Sequence, residues 1–374
     1  MSRYRHARRF LDEPSTARTP SLLVDEVLLH QNIAEMASNA RSLGVSLRPH
    51  IKTHKSVNIA NLQVAAGAVG IMCAKLGEAE VFAEGGIEDI AIGFPVIGDL
   101  KISRLLKVME RARIIVALDS LAAAEALSAA MVASDRILEI YLEVDTGHHR
   151  TGTLAGEPTR ALALKVARLP GVRLIGIMTH EGHANAAPPE TIRETALNAG
   201  ELLVETAESI RSSGVPLETV SVGSTPCASY TPTIGGVTEM RPGTYVFRDV
   251  SGFRHGVYGP DRCALHYLAT VASRPSSDRA VLDAGAKTLA LDTGPSHPGH
   301  GYVVDNPDVI IDRLSEEHGV VLLPPETTGW QVGDIVEIIP NHVCTSVNLH
   351  DRMLIVRDGK VIDEWQVGAR GRVS

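Results

Sequence analysis

Between residues 46 and 246, short apolar runs alternate with longer amphipathic stretches, and this alternation predicts a parallel sheet connected by helices. Eight of the apolar runs have the length and composition of strands. They begin at Ser46, Val69, Asp89, Arg113, Ile137, Val172, Thr219 and Glu239. The stretches between them, such as the one from Thr191 to Ser213, place apolar residues at helical spacing. Eight strand–helix units in succession predict a TIM (β/α)8 barrel, and hence the α/β class.

The pattern changes near Arg254. Beyond it, apolar residues alternate with polar ones or form β-branched runs such as LHYLATVAS, DIVEIIPNHV and RMLIVRDGKVIDEWQV, separated by Gly and Asp-Gly turns. We therefore predict a barrel over residues 18–253, followed by a mainly β C-terminal domain over residues 254–374. We expect residues 1–17 to be part of this C-terminal domain. The segment PSLLVD and the helical pattern after it read as one more strand and helix ahead of the barrel.

Composition narrows the class of protein. The 374 residues are 44% hydrophobic and 21% charged, as in an ordinary globular chain, and the net charge of −8 argues against nucleic acid or an anionic membrane as a partner. The four cysteines are widely spaced and form no disulfide pattern, so a reducing cytoplasm is expected. No segment approaches the ~18 apolar residues of a membrane span, and the basic start is not followed by the apolar run of a signal peptide.

The first barrel strand ends in the segment RPHIKTHK, where Lys52 stands among cationic and imidazole side chains. A lysine amine attacks a carbonyl only when it is neutral, and nearby positive charge with partial burial lowers its pKa. We expect Arg48, His50, His54 and Lys55 to supply that positive field. Taken alone, the segment is equally compatible with a basic surface turn.

Polar residues also follow the later barrel strands, and in a TIM barrel such strand ends meet at one mouth. They are the segment 145–152 after the fifth strand, the segment 180–183 after the sixth, Gly223, Ser224 and Thr225 after the seventh, and Arg241, Gly243, Thr244 and Tyr245 in the eighth. The small residues, hydroxyls and backbone N–H groups of the last two strand ends suit a phosphate. Together with the Lys52 amine for an aldehyde, they fit pyridoxal phosphate, which carries both groups.

These motifs resemble the fold type III pyridoxal-phosphate enzymes with an alanine-racemase-like barrel, and within them the D-threonine aldolase and D-serine dehydratase group. RPHIKTHK is similar to the motif of the cofactor lysine, which implies that Lys52 forms the Schiff base. EVDTGHHRTG implies that Arg150 contacts the phenolic oxygen, GIMTH that His180 lies near the pyridine ring, and RPGTY that Arg241 faces the pyridine nitrogen. Tyr245, in the same motif, is expected to be a further cofactor-binding residue. The resemblance covers nearly the whole chain and implies a homodimer.

The segment PNHVCTSVNLHD resembles the metal motif of the same group. In an extended strand residues i and i+2 share a face, so we expect His342 and Cys344 to reach one metal ion. A lone His-x-Cys is weak by itself, because a buried cysteine beside a histidine is commonly plain packing. Aldolase members resemble this motif with an aspartate in the second position, which suits manganese or magnesium, whereas dehydratase members carry a cysteine, which favours zinc.

The expected function is a lyase acting on D-3-hydroxy amino acids such as D-serine or D-threonine. Lys52 would remove the Cα proton, the metal would assist departure of the β-hydroxyl, and a 2-oxo acid and ammonia would result. The stretch HEGH is closer to the dehydratase branch than to the aldolases, which carry a tyrosine in place of His180. The alternative is a D-threonine aldolase that forms glycine and an aldehyde, since a nearby histidine can serve it as a base. A third hypothesis, a non-catalytic pyridoxal-phosphate carrier, leaves the metal motif without a role.

Overall fold

A computed structural model describes residues 10–13, 18–185, 188–254, 256–293, 298–325, 327 and 329–374 of the chain. Most of the predicted joining segment 1–17 therefore lies outside the described residues. The chain divides into two compact units. The first unit comprises the described residues within 34–52, 59–243 and 372–374, and the second unit comprises the described residues up to 33 together with those within 53–58 and 244–371.

The strands and helices are numbered in chain order. The strands are β1 (Ser21–Asp25), β2 (Ser46–Leu47), β3 (Ile71–Cys73), β4 (Asp89–Ile92), β5 (Arg113–Leu118), β6 (Leu138–Asp145), β7 (Thr153–Leu154), β8 (Val172–Met178), β9 (Thr219–Val222), β10 (Glu239–Met240), β11 (Leu265–Ser276), β12 (Arg279–Leu282), β13 (Tyr302–Val303), β14 (Ile310–Leu314), β15 (Gly319–Leu322), β16 (Ile335–Ile339), β17 (Arg352–Arg357) and β18 (Lys360–Gln366). The helices are α1 (Glu26–Leu43), α2 (Val57–Ala65), α3 (Leu76–Glu84), α4 (Asp99–Val108), α5 (Leu121–Ala133), α6 (Glu157–Val166), α7 (Ile192–Ser212), α8 (Val250–Arg254), α9 (Ala286–Leu289) and α10 (Val343–Val347). Among the described residues, no helix is both long enough and apolar enough to cross a membrane.

The first unit contains the eight predicted barrel strands. Its strands run in the order β2-β10-β9-β8-β6-β5-β4-β3, and all neighbours along this path are parallel. A parallel bridge between His50 and Met72 joins the two ends of the sheet. Backbone hydrogen bonds from Val69 N to Leu47 O (2.9 Å) and from Met72 N to Pro49 O (2.8 Å) complete this closure. The eight predicted strands and the barrel class are therefore confirmed.

Side-chain alternation along the strands fills the barrel and directs polar groups to its mouth, the end where the strands finish. A buried cluster is formed by Met72, Ala91, Ile115, Ala117, Tyr141, Ile175 and Met178. Because side chains two residues apart in a strand share a face, Glu143 and Asp145 lie on the same side of β6 as Tyr141. The predicted helix over 191–213 is confirmed as α7.

Ion pairs connect the strands at the opposite end, where β4, β5 and β10 begin. The Arg48 guanidinium is 2.8 Å from Glu239 and 2.5 Å from Asp89. Arg113 is 2.5 Å from both Asp89 and Glu139. The expectation that Arg48 adds positive charge around Lys52 is therefore wrong, because two carboxylates at the far end of the strands hold its guanidinium.

The second unit is built mainly of strands, as predicted. Its sheet has the order β14-β15-β12-β11-β1-β17-β18, and β16 pairs with both β11 and β13. Strand β1 lies between β11, to which it is antiparallel, and β17, to which it is parallel. β17 and β18 form a hairpin whose turn residues Asp358 and Gly359 have φ angles of 48° and 73°, as the Asp-Gly pair predicts. The domain boundary between residues 253 and 254 stays a prediction.

Candidate active site

A cavity lies within the first unit at the barrel mouth. Its lining residues follow or end barrel strands, and they are His50, Lys52, Met72, Gly93, Glu143, Arg150, Met178, His180, Gly223 and Arg241. Five residues that the sequence assigned to the cofactor are thus brought together: Lys52, Arg150, His180, Gly223 and Arg241. Their individual roles stay predictions.

Lys52 stands in the 3-10 turn Ile51–Thr53 that follows the first barrel strand. Its backbone N–H points to His50 Nδ1 at 3.4 Å, and His50 itself makes the bridge that closes the barrel. The backbone that carries the lysine is therefore fixed by the barrel. This rigidity suits a residue that has to present one amine to a bound carbonyl group.

His180 is held as a neutral imidazole. Its Nδ1 is 2.7 Å from the carbonyl oxygen of Gly223, so Nδ1 carries the proton and donates it. Burial, followed by the positive charges of Lys52 and Arg150, lowers the pKa of His180 to about 3. The imidazole therefore has one fixed tautomer with an unprotonated Nε2. A flat, uncharged ring of this kind is suited to lie next to a heteroaromatic ring.

Arg241 presents a buried and fixed guanidinium. Nη1 donates to Ser221 Oγ and Nη2 to the carbonyl of Thr179, each at 2.5 Å. Ser221 in turn donates to Glu239 Oε1 at 2.5 Å. A Cβ added at Gly223 would lie 3.1 Å from the Arg241 Cβ, so the glycine makes room for this side chain.

Glu143 is a cavity residue that the sequence analysis missed. It is buried, accepts a hydrogen bond from Thr151 Oγ1 at 2.9 Å, and lies 3.9 Å from Arg150 Nη2. Burial raises its pKa, and the Thr151 hydroxyl and the Arg150 charge oppose that rise. Strand alternation could have identified Glu143, because it is two residues from the inward-facing Tyr141 in β6 and therefore also faces the barrel interior.

The loop after β6 is organised by Asp145. Its Oδ1 accepts the backbone N–H groups of Gly147 (2.9 Å) and His149 (3.0 Å). Burial works to raise the pKa of Asp145, but these hydrogen bonds outweigh it and the pKa is lowered. The carboxylate therefore shapes the loop that carries Arg150.

Three imidazoles lie together at the mouth. The ring centroids of His148 and His180 are 5.7 Å apart, and those of His148 and His183 are 6.2 Å apart. A Cβ at Gly182 would come within 2.6 Å of His148 Nε2, so only glycine leaves room for these rings. Burial is the main cause that lowers the pKa of both His148 and His183. Both rings are therefore neutral at pH 7, and each keeps one unprotonated nitrogen.

The predicted phosphate loops are only partly assembled in one unit. Gly223, Ser224 and Thr225 follow β9, and the N–H of Gly243 donates to Thr225 Oγ1 at 3.2 Å. These four residues form adjoining loops of small side chains, as a phosphate cradle requires. Thr244 and Tyr245 begin the 3-10 turn Thr244–Val246 and belong to the other unit.

In the second unit, the extended strand expected around His342 and Cys344 is wrong. His342 has extended backbone (φ −142°), but the chain then enters α10, and Cys344 is the second residue of that helix. The cause is Asp249, whose Oδ2 accepts the N–H of Val343 at 3.2 Å where the helix begins. The two side chains nevertheless meet, because a hydrogen bond joins His342 to Cys344.

This thiolate–imidazole pair, His342 and Cys344, fits a soft divalent cation. The Thr53 hydroxyl is 3.2 Å from Cys344 Sγ, and His342 Nδ1 is 3.2 Å from Asp249 Oδ2. The negative charge of Cys344 is the largest cause that raises the pKa of His342. Burial lowers this pKa, but the hydrogen bond to Asp249 raises it further, and the net shift is upward. Within the described ranges no three His, Cys, Asp or Glu side chains converge on one metal position. The pair would thus leave coordination positions for water or substrate.

Two protein families match the chain. The alanine racemase N-terminal domain matches residues 24–250, and the serine dehydratase domain matches residues 264–356. The D-threonine aldolase of Arthrobacter sp is 34% identical over 362 residues, covering 94% of this chain and 93% of the aldolase. The D-threo-3-hydroxyaspartate dehydratase of Delftia sp. (strain HT23) is 33% identical over 373 residues, covering 94% of this chain and 97% of the dehydratase.

Solved structures agree. The crystal structure of D-threonine aldolase from Filomicrobium marinum has a TM-score of 0.90 at 34% identity and covers 96% of this chain and 98% of that chain. Two mutants of a D-threo-3-hydroxyaspartate dehydratase, a cysteine-to-alanine mutant in the metal-free form and a histidine-to-alanine mutant, have TM-scores of 0.87 and 0.88. The chain therefore belongs to the fold type III pyridoxal-phosphate enzymes, in the group of lyases that includes D-threonine aldolase and the D-serine and D-3-hydroxyaspartate dehydratases.

Proposed function

We propose that the protein is a pyridoxal-phosphate- and metal-dependent lyase that eliminates water from D-3-hydroxy amino acids, in the manner of D-serine dehydratase. The observation that carries this proposal is the contact between His342 and Cys344, because it provides a sulfur and an imidazole for a metal in a chain for which we also propose Lys52 as the cofactor lysine. In the elimination the Cα–H and Cβ–O bonds break, water leaves, and the resulting enamine hydrolyses to a 2-oxo acid and ammonia.

Pyridoxal phosphate, when bound, supplies an aldehyde for the amines of the lysine and the substrate and a ring that withdraws electrons from Cα. The Lys52 amine would take the Cα proton of the substrate. His180 stays neutral beside it, because burial and the Lys52 charge suppress protonation. The fixed cation of Arg241 disfavours a proton on a facing ring nitrogen, and this weakens the electron sink. Activation of the leaving group then has to contribute more to the rate.

A metal ion held by His342 and Cys344 would supply that activation as a Lewis acid toward the β-hydroxyl. A solved structure of the related dehydratase supports this proposal, since it is of a cysteine-to-alanine mutant in the metal-free form, which implies that a metal-bound form of that enzyme exists. The histidine replaced in its other mutant is two residues from that cysteine, which is the spacing of His342 and Cys344. We propose zinc as the metal because of the thiolate, with manganese or magnesium as alternatives.

The alternative function is aldol cleavage by the same site. It needs a base for the β-hydroxyl proton, and we propose His148 or His183, because their lowered pKa values keep both rings neutral at pH 7 with one unprotonated nitrogen each. We also propose that the protein is a homodimer and acts in the cytoplasm. Sedimentation of the holoenzyme measures the first, and fractionation of cells measures the second.

Incubation of the purified holoenzyme with D-serine, D-threonine and D-threo-3-hydroxyaspartate tests the function directly. Elimination gives 2-oxo acid and ammonia, whereas aldol cleavage gives glycine and an aldehyde. The L-isomers and the Lys52→Ala variant serve as controls and should give neither set. Glycine and aldehyde as the main products would replace the proposal by the alternative, and no turnover of any D-isomer would favour the cofactor carrier.

A further inference from the structure

Asp249 is a buried carboxylate that the proposed reaction does not use. Its side chain is 3% exposed, and its Oδ2 lies 3.2 Å from both His342 Nδ1 and the backbone nitrogen of Val343. Two donors from the segment that carries the proposed metal ligands therefore point to one oxygen atom. The two donors offset the cost of burying the carboxylate, and they tie it to the segment of His342.

The backbone of Asp249 is itself fixed. The Tyr258 hydroxyl accepts the Asp249 N–H at 3.1 Å and donates to the Asp249 carbonyl at 3.2 Å. A Cβ at Gly252 would lie 1.9 Å from the Tyr258 oxygen, so a side chain there would displace the tyrosine. The next residue, Val250, donates its N–H to the carbonyl of Pro340 at 3.2 Å. The carboxylate is thus held on a rigid support beside the His342 segment.

A carboxylate that accepts the Nδ1 proton decides which nitrogen of the imidazole is free. With the proton on Nδ1, the lone pair is on Nε2, and the ring cannot rotate without losing the hydrogen bond. Metal-bound histidines commonly donate their other N–H to such a carboxylate, which raises the basicity of the ligand. His342 is 36% exposed while Asp249 is buried, so the partner side of the ring is enclosed and part of the ring remains open to solvent.

We propose that Asp249 is the positioning residue of the metal site: by accepting the Nδ1–H of His342 it directs Nε2, together with Cys344 Sγ, toward one cation. This inference rests on the proposed role of His342 and Cys344 and adds a residue that neither ligates the metal nor touches the substrate. Its consequence is that metal affinity depends on Asp249 while cofactor binding does not.

The experiment measures zinc affinity of the holoenzyme by competition with a chromophoric chelator. Asp249→Ala should weaken zinc binding by about 10–100-fold, as loss of such a partner does in other sites. Asp249→Asn, which keeps the shape and one oxygen acceptor, should lie between wild type and Asp249→Ala. The control is Asp292→Ala, because Asp292 accepts the Thr345 hydroxyl at 2.5 Å on the same helix without contacting His342. It should bind zinc like wild type.

Substitution with cobalt gives a second readout that a change in overall stability does not mimic. The thiolate-to-cobalt absorption reports whether Cys344 still ligates and with what geometry. In Asp249→Asn we expect this band to remain but to shift, with the visible absorbance of the cofactor unchanged. Wild-type zinc affinity and an unshifted band in this folded variant would overturn the proposal.

The two proposals fail differently. If His342→Ala and Cys344→Ala bind zinc as tightly as wild type, the proposed ligand pair is wrong and the role of Asp249 falls with it. If both variants lose zinc while Asp249→Ala and Asp249→Asn behave like Asp292→Ala, the ligand pair stands and only the positioning role is rejected.

Discussion

The hydroxyl of Thr53 lies 3.2 Å from the sulfur of Cys344, and Thr53 directly follows Lys52 in the chain. One turn after the first barrel strand thus carries the proposed cofactor lysine and, at the next position, a hydrogen-bond partner of the proposed metal thiolate. A hydroxyl beside sulfur stabilises the charged thiolate, since hydrogen bonds to ionised groups are stronger than those between neutral groups.

Thr53→Val should weaken zinc binding by at least about tenfold, because it removes a hydrogen bond to a charged group, worth about 1.5 kcal/mol or more, while keeping the shape of the side chain. Chelator competition on the holoenzyme measures the change. Thr53→Ser is the matched control, since it retains the hydroxyl, and it should stay within about twofold of wild type. Equal affinities for the valine and serine variants would show that the contact does not tune the thiolate.

Lys52→Ala should abolish the visible absorbance of the bound cofactor and lower turnover by at least about 100-fold, because both the covalent attachment and the Cα base are lost. Borohydride reduction followed by peptide mapping identifies the modified lysine. Lys55 offers the matched control: it is buried, and its Nζ donates to the carbonyl of Ala369 at 3.5 Å. Lys55→Met should keep the absorbance, and labelling at Lys55 in wild type would contradict the assignment.

The barrel could be predicted from the sequence because its information is local. Each strand carries its own apolar run and each helix its own period, so eight strands were found without knowing which neighbours they join. Cavity residues at strand ends follow from the same rule, as Lys52 and His180 illustrate. Glu143 was missed although strand alternation with Tyr141 places it in the barrel interior.

What the sequence alone could not supply is pairing between distant segments. Asp249 reaches His342 across 93 positions, and Arg48 reaches Glu239 across 191. Neither pair has a local pattern, so Arg48 was assigned to the surroundings of Lys52 and Asp249 was not noticed. Cys344 was expected in a strand because the apolar run before it continues to Pro340, whereas Asp249 caps a helix at Val343.

Arg48→Met should destabilise the protein by about 3–5 kcal/mol, because it leaves the buried Glu239 without its ion-pair partner and weakens the closure of the barrel. Urea unfolding measures the loss. The control is Arg113→Met, which removes two partly exposed ion pairs, one with the same Asp89 and one with Glu139, and should cost about 2 kcal/mol or less. If the two variants unfold at the same urea concentration, the buried ion pair of Arg48 adds no more to the free energy of unfolding than the exposed pairing of Arg113 does.

His180 should make stability depend on pH in one direction. Its pKa in the folded protein is about 3, below the ordinary 6.5, so between these values the unfolded chain binds more protons than the folded one. Stability should therefore rise with pH from about 3 to 6.5, with a contribution of about 1.4 kcal/mol per pH unit from this group. His180→Asn keeps a donor for the Gly223 carbonyl but does not titrate.

The measurement is urea unfolding of wild type and His180→Asn at several pH values. The difference between the two should shrink as pH falls below 6.5, because only the wild type loses stability through His180. His148 and His183 also have lowered pKa values, but they are common to both proteins and cancel. A difference that is independent of pH would show that His180 is not held neutral in the folded state.

Cys344→Asp should change which metal the site prefers. It replaces a soft thiolate by a hard carboxylate, so the ratio of zinc to manganese affinity should fall by at least about tenfold. An acidic residue is compatible with this place, because Cys344 is in the first turn of α10, where negative charge is tolerated. The variant would carry a histidine and an aspartate, which resembles the ligand pair of the aldolase branch. We therefore expect the ratio of glycine to 2-oxobutanoate formed from D-threonine to rise as well.

Two observations would reject that account. Chelation should remove activity while the visible absorbance of the cofactor remains, because Lys52 and the loops around Gly223 do not depend on the ion. A metal-free enzyme with full turnover would therefore show that no Lewis acid is needed. The comparison variant is Cys344→Ala, which lacks any ligand at this position and should lose both zinc and activity. If it kept normal turnover, Cys344 would be a packed thiol beside Thr53, and the preference for elimination would have to come from the histidines at the barrel mouth.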